Sequence, residues 1–406
     1  LFIIFVFSIY IIRSEILAGK IIDNAALKMW IFLIFFYWVV AFAVLFYHDG
    51  LDGRSGNVMN IVHSTLAFAV LGWSIYRLNP SIDYLWFSVG VGSFLLLFLS
   101  LFELVAVDFD LGVRLGDFYG NPIGFGVLSG TFLIILFGAL PWAYAKNKIV
   151  FLAYFTMIVF LFFNVLYSQT RTAWLGLPEA IIAWSVYYYF LLKRKYQEKN
   201  NSYKVNLAFI SLVSLVSLGL ISIVTSTTIA NRVGDALSGV EDYFSRVSFE
   251  TSAGQRLLMY EAGLAGIKAN FGLGIGENKF KELMKEKTQE VAQEHFSKDF
   301  QGVDYSHVHN QFLMAFITKG ILGILSVLLL FVFLFAYFVR GMRKADFEDK
   351  PIWISGFVFV LAEFMSFIPE SPLQKSVYTT HFFLISTLFI VFTAISADKN
   401  QSKVVQ

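Results

Sequence analysis

Long apolar runs separated by short polar connections fill most of the chain. Ten of them, at 29–47, 62–76, 84–106, 123–145, 149–167, 173–192, 205–226, 308–338, 351–368 and 378–396, are long enough to cross a bilayer. A hydrocarbon core of about 30 Å takes ~20 helical residues, so each run predicts a membrane helix. The opening run, Leu1 to Ile12, is shorter and reads as the end of a helix that starts upstream. One long polar interval, 227–306, breaks the pattern. Within it, Arg256 to Ile267 has apolar residues at helical spacing, Phe271-Gly272-Leu273-Gly274-Ile275-Gly276 reads as a turn, and Lys279 to Glu294 as a charged helix. An amphipathic segment lying on the membrane surface fits this interval. The expected architecture is all-α and polytopic. A bundle over 1–226 holds eight spans, the first incomplete; a helical loop covers 227–306; a second bundle over 307–406 holds three spans and a tail.

Composition agrees, with 57% hydrophobic and 15% charged residues excluding a soluble globular protein. With no cysteine, a disulfide framework or thiolate metal site is excluded too. The net charge of +2 is uninformative, but its placement is not. Lys193, Arg194, Lys195, Lys199 and Lys204 crowd one connection, Lys146 and Lys148 a second, and Arg340, Arg343, Lys344 and Lys350 a third. All three fall on one side of the membrane, which the positive-inside rule makes cytoplasmic. The tail from Asp398 joins them and the 227–306 loop faces outward. Counting back puts Leu1 on the outer side, so a cytoplasmic N-terminus would need one further helix upstream.

Candidate chemistry gathers at outer ends of helices. His307, His309 and Asn310 stand where the polar loop re-enters an apolar run, a costly place for polar groups unless they face protein or water. If Ser306 caps the following helix, His309 sits in its first turn, where the dipole opposes protonation and suits a general base. Arg171 and Arg256 are predicted at outer helix N-termini, and Arg114 is a third outer arginine. Guanidinium forks there suit a diphosphate, although headgroup snorkelling also accounts for Arg171. Asp108-Phe109-Asp110 could hold a divalent cation or be a solvated helix end. His307 and His309 lack a neighbouring third ligand in sequence, so no metal is expected. The Gly272, Gly274, Gly276 run lacks the strand and Lys-Ser/Thr of a phosphate loop and is read as a turn.

Four stretches, in order, resemble the O-antigen ligase and polymerase superfamily of bacterial envelope glycosyltransferases. They are the Gly116…Asn121-Pro122 loop; Ser168-Gln169-Thr170-Arg171-Thr172-Ala173-Trp174-Leu175-Gly176; Arg256 to Gly276; and His307-Val308-His309-Asn310 followed by Gly320 and Gly323. The resemblance implies a GT-C-type multispan fold in the bacterial inner membrane, with its active site on the periplasmic side. It implies a glycan donor on undecaprenyl diphosphate and a lipid A-core acceptor, without cofactor or nucleic-acid partner. Arg171 and Arg256 would hold the diphosphate, Arg114, His307 and Asn310 would line the substrate, and His309 would be the base. No outer arginine has the Arg-x10-Gly spacing of the polymerases, which favours a ligase. A polymerase or a protein O-oligosaccharyltransferase is the alternative in the same chemistry. A transporter of the lipid-linked glycan is the alternative in another class.

Overall fold

The structure is a computed structural model, described over residues 24–49, 56–109, 114–116, 121–170, 173–174, 182–190, 193–194, 227–296, 300–302 and 305–405. Every regular element among these residues is helical. The helices are α1 (Ala25–Asp49), α2 (Gly56–Leu78), α3 (Ile82–Ala106), α4 (Pro122–Lys146), α5 (Lys148–Tyr167), α6 (Thr227–Phe244), α7 (Ser252–Ala269), α8 (Phe280–Phe296), α9 (Gln311–Lys344), α10 (Lys350–Phe367) and α11 (Ser376–Val405). A helical stretch also covers 182–190, and a 3-10 turn, Pro372–Gln374, precedes α11. Seven of the described helices, α1, α3, α4, α5, α9, α10 and α11, are long and apolar enough to cross a membrane. The fold is that of an all-α polytopic membrane protein. The runs expected at 1–12 and 205–226 lie outside the described residues.

Helix α1 shows why such segments suit lipid. Leu27, Trp30, Ile34, Tyr37, Ala41 and Val44 bury one face, while Phe32, Phe35, Phe42 and Phe46 project outward. A row of exposed phenylalanines is a penalty in water and none in hydrocarbon. Polar side chains here find partners across helices: Trp30 Nε1 donates to Thr387 Oγ1 at 2.9 Å and the Tyr76 hydroxyl to Asp398 Oδ2 at 2.6 Å.

The chain forms two compact units, one of Leu1–Pro80, Val233–Tyr337 and Phe367–Gln406, the other of Ser81–Arg232 and Phe338–Ser366. In the second unit, the first two sequence blocks meet. Leu115 N–H donates to Tyr167 O, and Arg114 Nε and Nη2 both donate to Ser168 O at 3.1 Å. Thr170 Oγ1 reaches Pro122 O, and Asn121 caps α4 through Gly124 N–H. Both oxygens of the buried Glu103 accept from Gly116 N–H.

In the first unit, α9 is broken at Gly320, whose φ of 62° and ψ of −156° leave the helical region. A straight helix would put Gly323 about 12 Å along the axis from Ala315; here a Cβ on Gly323 would touch the Ala315 carbonyl. The run expected as one continuous helix over 308–338 is therefore a short helix, 311–319, turned sharply into a longer one. The break frees backbone groups, and the 271–276 turn takes them. Ile275 and Gly276 N–H donate to Ile317 and Thr318 O at 3.0 Å, and Ile321 N–H returns a bond to Phe271 O at 3.1 Å. The glycine run is thus a backbone clamp on the broken helix.

Within the interval expected on the membrane surface, α7 and α8 bury apolar residues against protein, while Leu264 and Phe271 stay exposed. Leu258, Met259 and Ala262 of α7, Phe280, Met284 and Val291 of α8, and Val308, Met314 and Ile317 form one buried cluster. A single core thus locks the loop helices to the short helix.

Close backbone approach makes Gly274 and Gly320 intolerant of a side chain, whereas a Cβ on Gly272 meets open space. At Gly274, with φ of 70°, it would lie within 2.6 Å of Thr318, Lys319 and Gly320 backbone atoms. Gly274→Ala and Gly320→Ala are each expected to cost on the order of 1–3 kcal/mol, seen as a lower unfolding midpoint in detergent, with Gly272→Ala near wild type. A wild-type midpoint for Gly320→Ala would contradict the clamp.

Candidate functional site

The last two sequence blocks meet in the first unit. Thr251 caps α7, its hydroxyl accepting from Gly254 N–H at 3.0 Å. That places Arg256 in the second turn and Tyr260 one turn further along the same face. Tyr260 donates its hydroxyl to His309 O at 2.7 Å. The short helix begins at Gln311 and its cap is Asn310, whose Oδ1 accepts from Leu313 N–H at 2.9 Å. Ser306 therefore does not cap it, and His309 precedes the helix, outside its first turn. His309 has φ of 51°, a left-handed conformation that costs a non-glycine residue ~1 kcal/mol or more.

The turn between α10 and α11 holds this segment in place. Ser371 Oγ accepts from Asn310 N–H at 3.1 Å, and Gln311 Oε1 from Leu373 N–H at 2.8 Å. Gln374 Nε2 reaches Glu277, which pairs with Lys319 beside the helix break. The same turn presents Glu370, a residue the sequence reading did not single out. Its Oε1 accepts from Arg256 Nη2 at 3.3 Å and its Oε2 lies 3.2 Å from His309 Nδ1. The Glu370 side chain is 10% exposed, those of Arg256 and His309 26% and 27%, so both partners keep a face open to a ligand. His307 stacks edge-on against His309, ring centroids 4.2 Å apart.

Burial pushes the Glu370 carboxyl up, but the hydrogen bond with His309 and the positive charges of His309, Arg256 and Lys375 outweigh it, so the group titrates below the usual glutamate range. It is a carboxylate at neutral pH. A carboxylate can only accept, so the His309 nitrogen facing it, Nδ1, carries hydrogen, and in the neutral ring Nε2 holds the lone pair. That arrangement is a carboxylate-oriented base beside a guanidinium. Burial and neighbouring His309 lower the pKa of His307, favouring its neutral form.

His307, His309 and Glu370 each offer one ligand atom, all within 4.8 Å of one another, so the third partner missing from the local sequence exists in space. Yet both Glu370 oxygens face positively charged or N–H groups, and the Arg256 guanidinium beside them opposes a dication. The set suits an anion better. Arg114, in the other unit, already spends two guanidinium nitrogens on Ser168 O. Arg171 and Asp110 lie outside the described residues, and Asp108 is in the turn after α3.

These features define a helical membrane protein with a histidine, carboxylate and arginine cluster on a docked loop. The O-antigen ligase family model matches residues 153–328, which carry the loop, Arg256 and His309. The chain is 28% identical over 336 residues to the O-antigen ligase of Escherichia coli, covering 79% of this chain and 73% of that protein. It is 24% identical over 240 residues to an uncharacterized protein of Haemophilus influenzae, covering 58% of this chain and 56%, a little over half, of that relative. These matches support placing the chain in the O-antigen ligase superfamily.

The environment of His307 has a measurable consequence. Its imidazole should titrate with a midpoint below the ordinary value of about 6.5, read from the ring carbon shifts of isotope-labelled protein and located with His307→Asn. A midpoint above the ordinary value would contradict the burial described.

Proposed function

We propose that this protein is an inverting glycosyltransferase that moves a glycan from undecaprenyl diphosphate to the lipid A-core, on the periplasmic face of the bacterial inner membrane. The observation that carries this reading is the single Glu370 carboxylate held jointly by His309 Nδ1 and Arg256. It supports a lone-pair Nε2 and a guanidinium fork side by side. In the proposed reaction Nε2 takes the proton of the acceptor hydroxyl, and that oxygen attacks the anomeric carbon opposite the diphosphate. The bond to the diphosphate breaks and its electron pair stays on the phosphate oxygen. Negative charge grows there in the transition state, which Arg256 stabilises; losing such a contact raises a barrier by about 2–4 kcal/mol. The carrier linkage is already activated, so no nucleotide is needed. Arg171 is proposed as a further phosphate-binding arginine on its sequence block alone. His307 and Asn310 are proposed to flank the acceptor, Asn310 through its Nδ2 donors.

One observation bears on the transporter alternative. Transporters use broken helices to expose carbonyls to ions. Here the Ile317 and Thr318 carbonyls beside the break are taken by Ile275 and Gly276 N–H, which favours chemistry over ion-coupled transport.

The test is transfer by purified protein in detergent, from carrier-linked glycan to lipid A-core, with products resolved on a gel. Wild type is expected to form capped core with or without EDTA. His309→Ala and Arg256→Lys are each expected to lose on the order of 100-fold or more, the lysine variant because a point charge does not replace a planar fork. Lengthening of the glycan on the carrier, without transfer to core, would instead identify a polymerase. Loss of activity on chelation, restored by Mg²⁺ or Mn²⁺, would contradict the metal-free mechanism.

A further inference from the structure

Glu370 sits 61 residues from His309 and 114 from Arg256 in sequence, yet its two oxygens divide between them. Its position is firmly built. Ser371 and Leu373, its neighbours in the turn, are tied to Asn310 and Gln311, and its side chain is nearly buried. Arg256 has no carboxylate partner other than Glu370 among the described residues. Of the Arg256 nitrogens, Nη2 reaches Glu370, at 3.3 Å, so a diphosphate that takes both terminal nitrogens of the fork would compete with this carboxylate.

We propose that Glu370 is a positioning residue that couples donor binding to the strength of the base, by passing Arg256 to the diphosphate and turning its whole charge onto His309. The proposal rests on the reading of His309 as base and Arg256 as phosphate ligand. In the empty site the carboxylate is shared, and the guanidinium draws off part of its field. When the two diphosphate oxygens take the fork, Glu370 is left facing Nδ1–H alone. A carboxylate there favours the imidazolium that forms as Nε2 takes the acceptor proton. Base strength would thus rise only where the leaving group is in place. Other groups facing the His309 ring or its partner are His307, Lys375, Arg256 and the Tyr260 hydroxyl, none of which is anionic at neutral pH.

The test compares kcat and donor KM across pH for wild type, Glu370→Gln, Glu370→Asp and His309→Ala. Glu370→Gln should lower kcat at least ~10-fold and move the acid limb of kcat to lower pH. Its donor KM should fall or stay level, because Arg256 no longer has a competing carboxylate. Glu370→Asp, which keeps the charge, should recover part of kcat and return the limb towards wild type. A brace with no electrostatic part would instead raise KM, leave the limb in place, and fail equally in Asp and Gln; that pattern overturns the proposal. Wild-type kinetics in Glu370→Gln with a dead His309→Ala would sink only the role of Glu370. An active His309→Ala would sink the underlying assignment of the base.

Discussion

A backbone that stops being helical at Gly320 is the constraint on which this site depends. A broken helix in or near lipid leaves N–H and C=O groups that must find partners, each unpaired group costing on the order of 1–3 kcal/mol or more. The 271–276 turn supplies those partners, and only residues without side chains allow the two backbones so close at Gly274 and Gly320. With the break satisfied, the short helix can turn away from the long one and bury Met314 and Ile317 in the core shared with α7 and α8. His309 and Asn310 then stand at the head of an element held on one side by α7 and on the other by the turn before α11.

The electrostatics follow from that placement. A nearly buried carboxylate is costly unless paired, and Glu370 is paired twice, with both partners themselves a quarter exposed. The cluster is rigid where it meets protein and open where it meets ligand. Around one carboxylate stand Arg256 and Lys375 with two histidines, a balance that suits an anionic leaving group. The Lys319–Glu277 pair, linked through Gln374 to the same turn, extends the polar network back to the helix break.

Much of this was legible in the sequence, because the signals that carry it are local. Span lengths, the long polar interval at 227–306, the Asn and Gly punctuation, and the His307-Val308-His309-Asn310 block are all read from contiguous stretches of chain. Ser306 was the wrong cap because two candidate caps lay within five residues, and the choice was made by Asn310 bonding Leu313 N–H and the turn at Ser371. The break was hidden because one glycine inside a long apolar run is compatible with a continuous helix. Glycines at 272, 274 and 276 signalled a turn without naming the backbone it would meet. Glu370 was invisible for a different reason: its meaning comes from residues 61 and 114 positions away. Its setting, Pro369-Glu370-Ser371-Pro372 between two spans, was the one available hint.

The central claim, a direct displacement with His309 as base, is tested most directly by the stereochemistry of the new bond. One-bond carbon–proton couplings at the transferred anomeric carbon, measured in the donor and in the product, report its configuration before and after. A single in-line attack predicts opposite configurations. The same configuration on both would mean two successive displacements through a covalent glycosyl-enzyme, and would contradict the account.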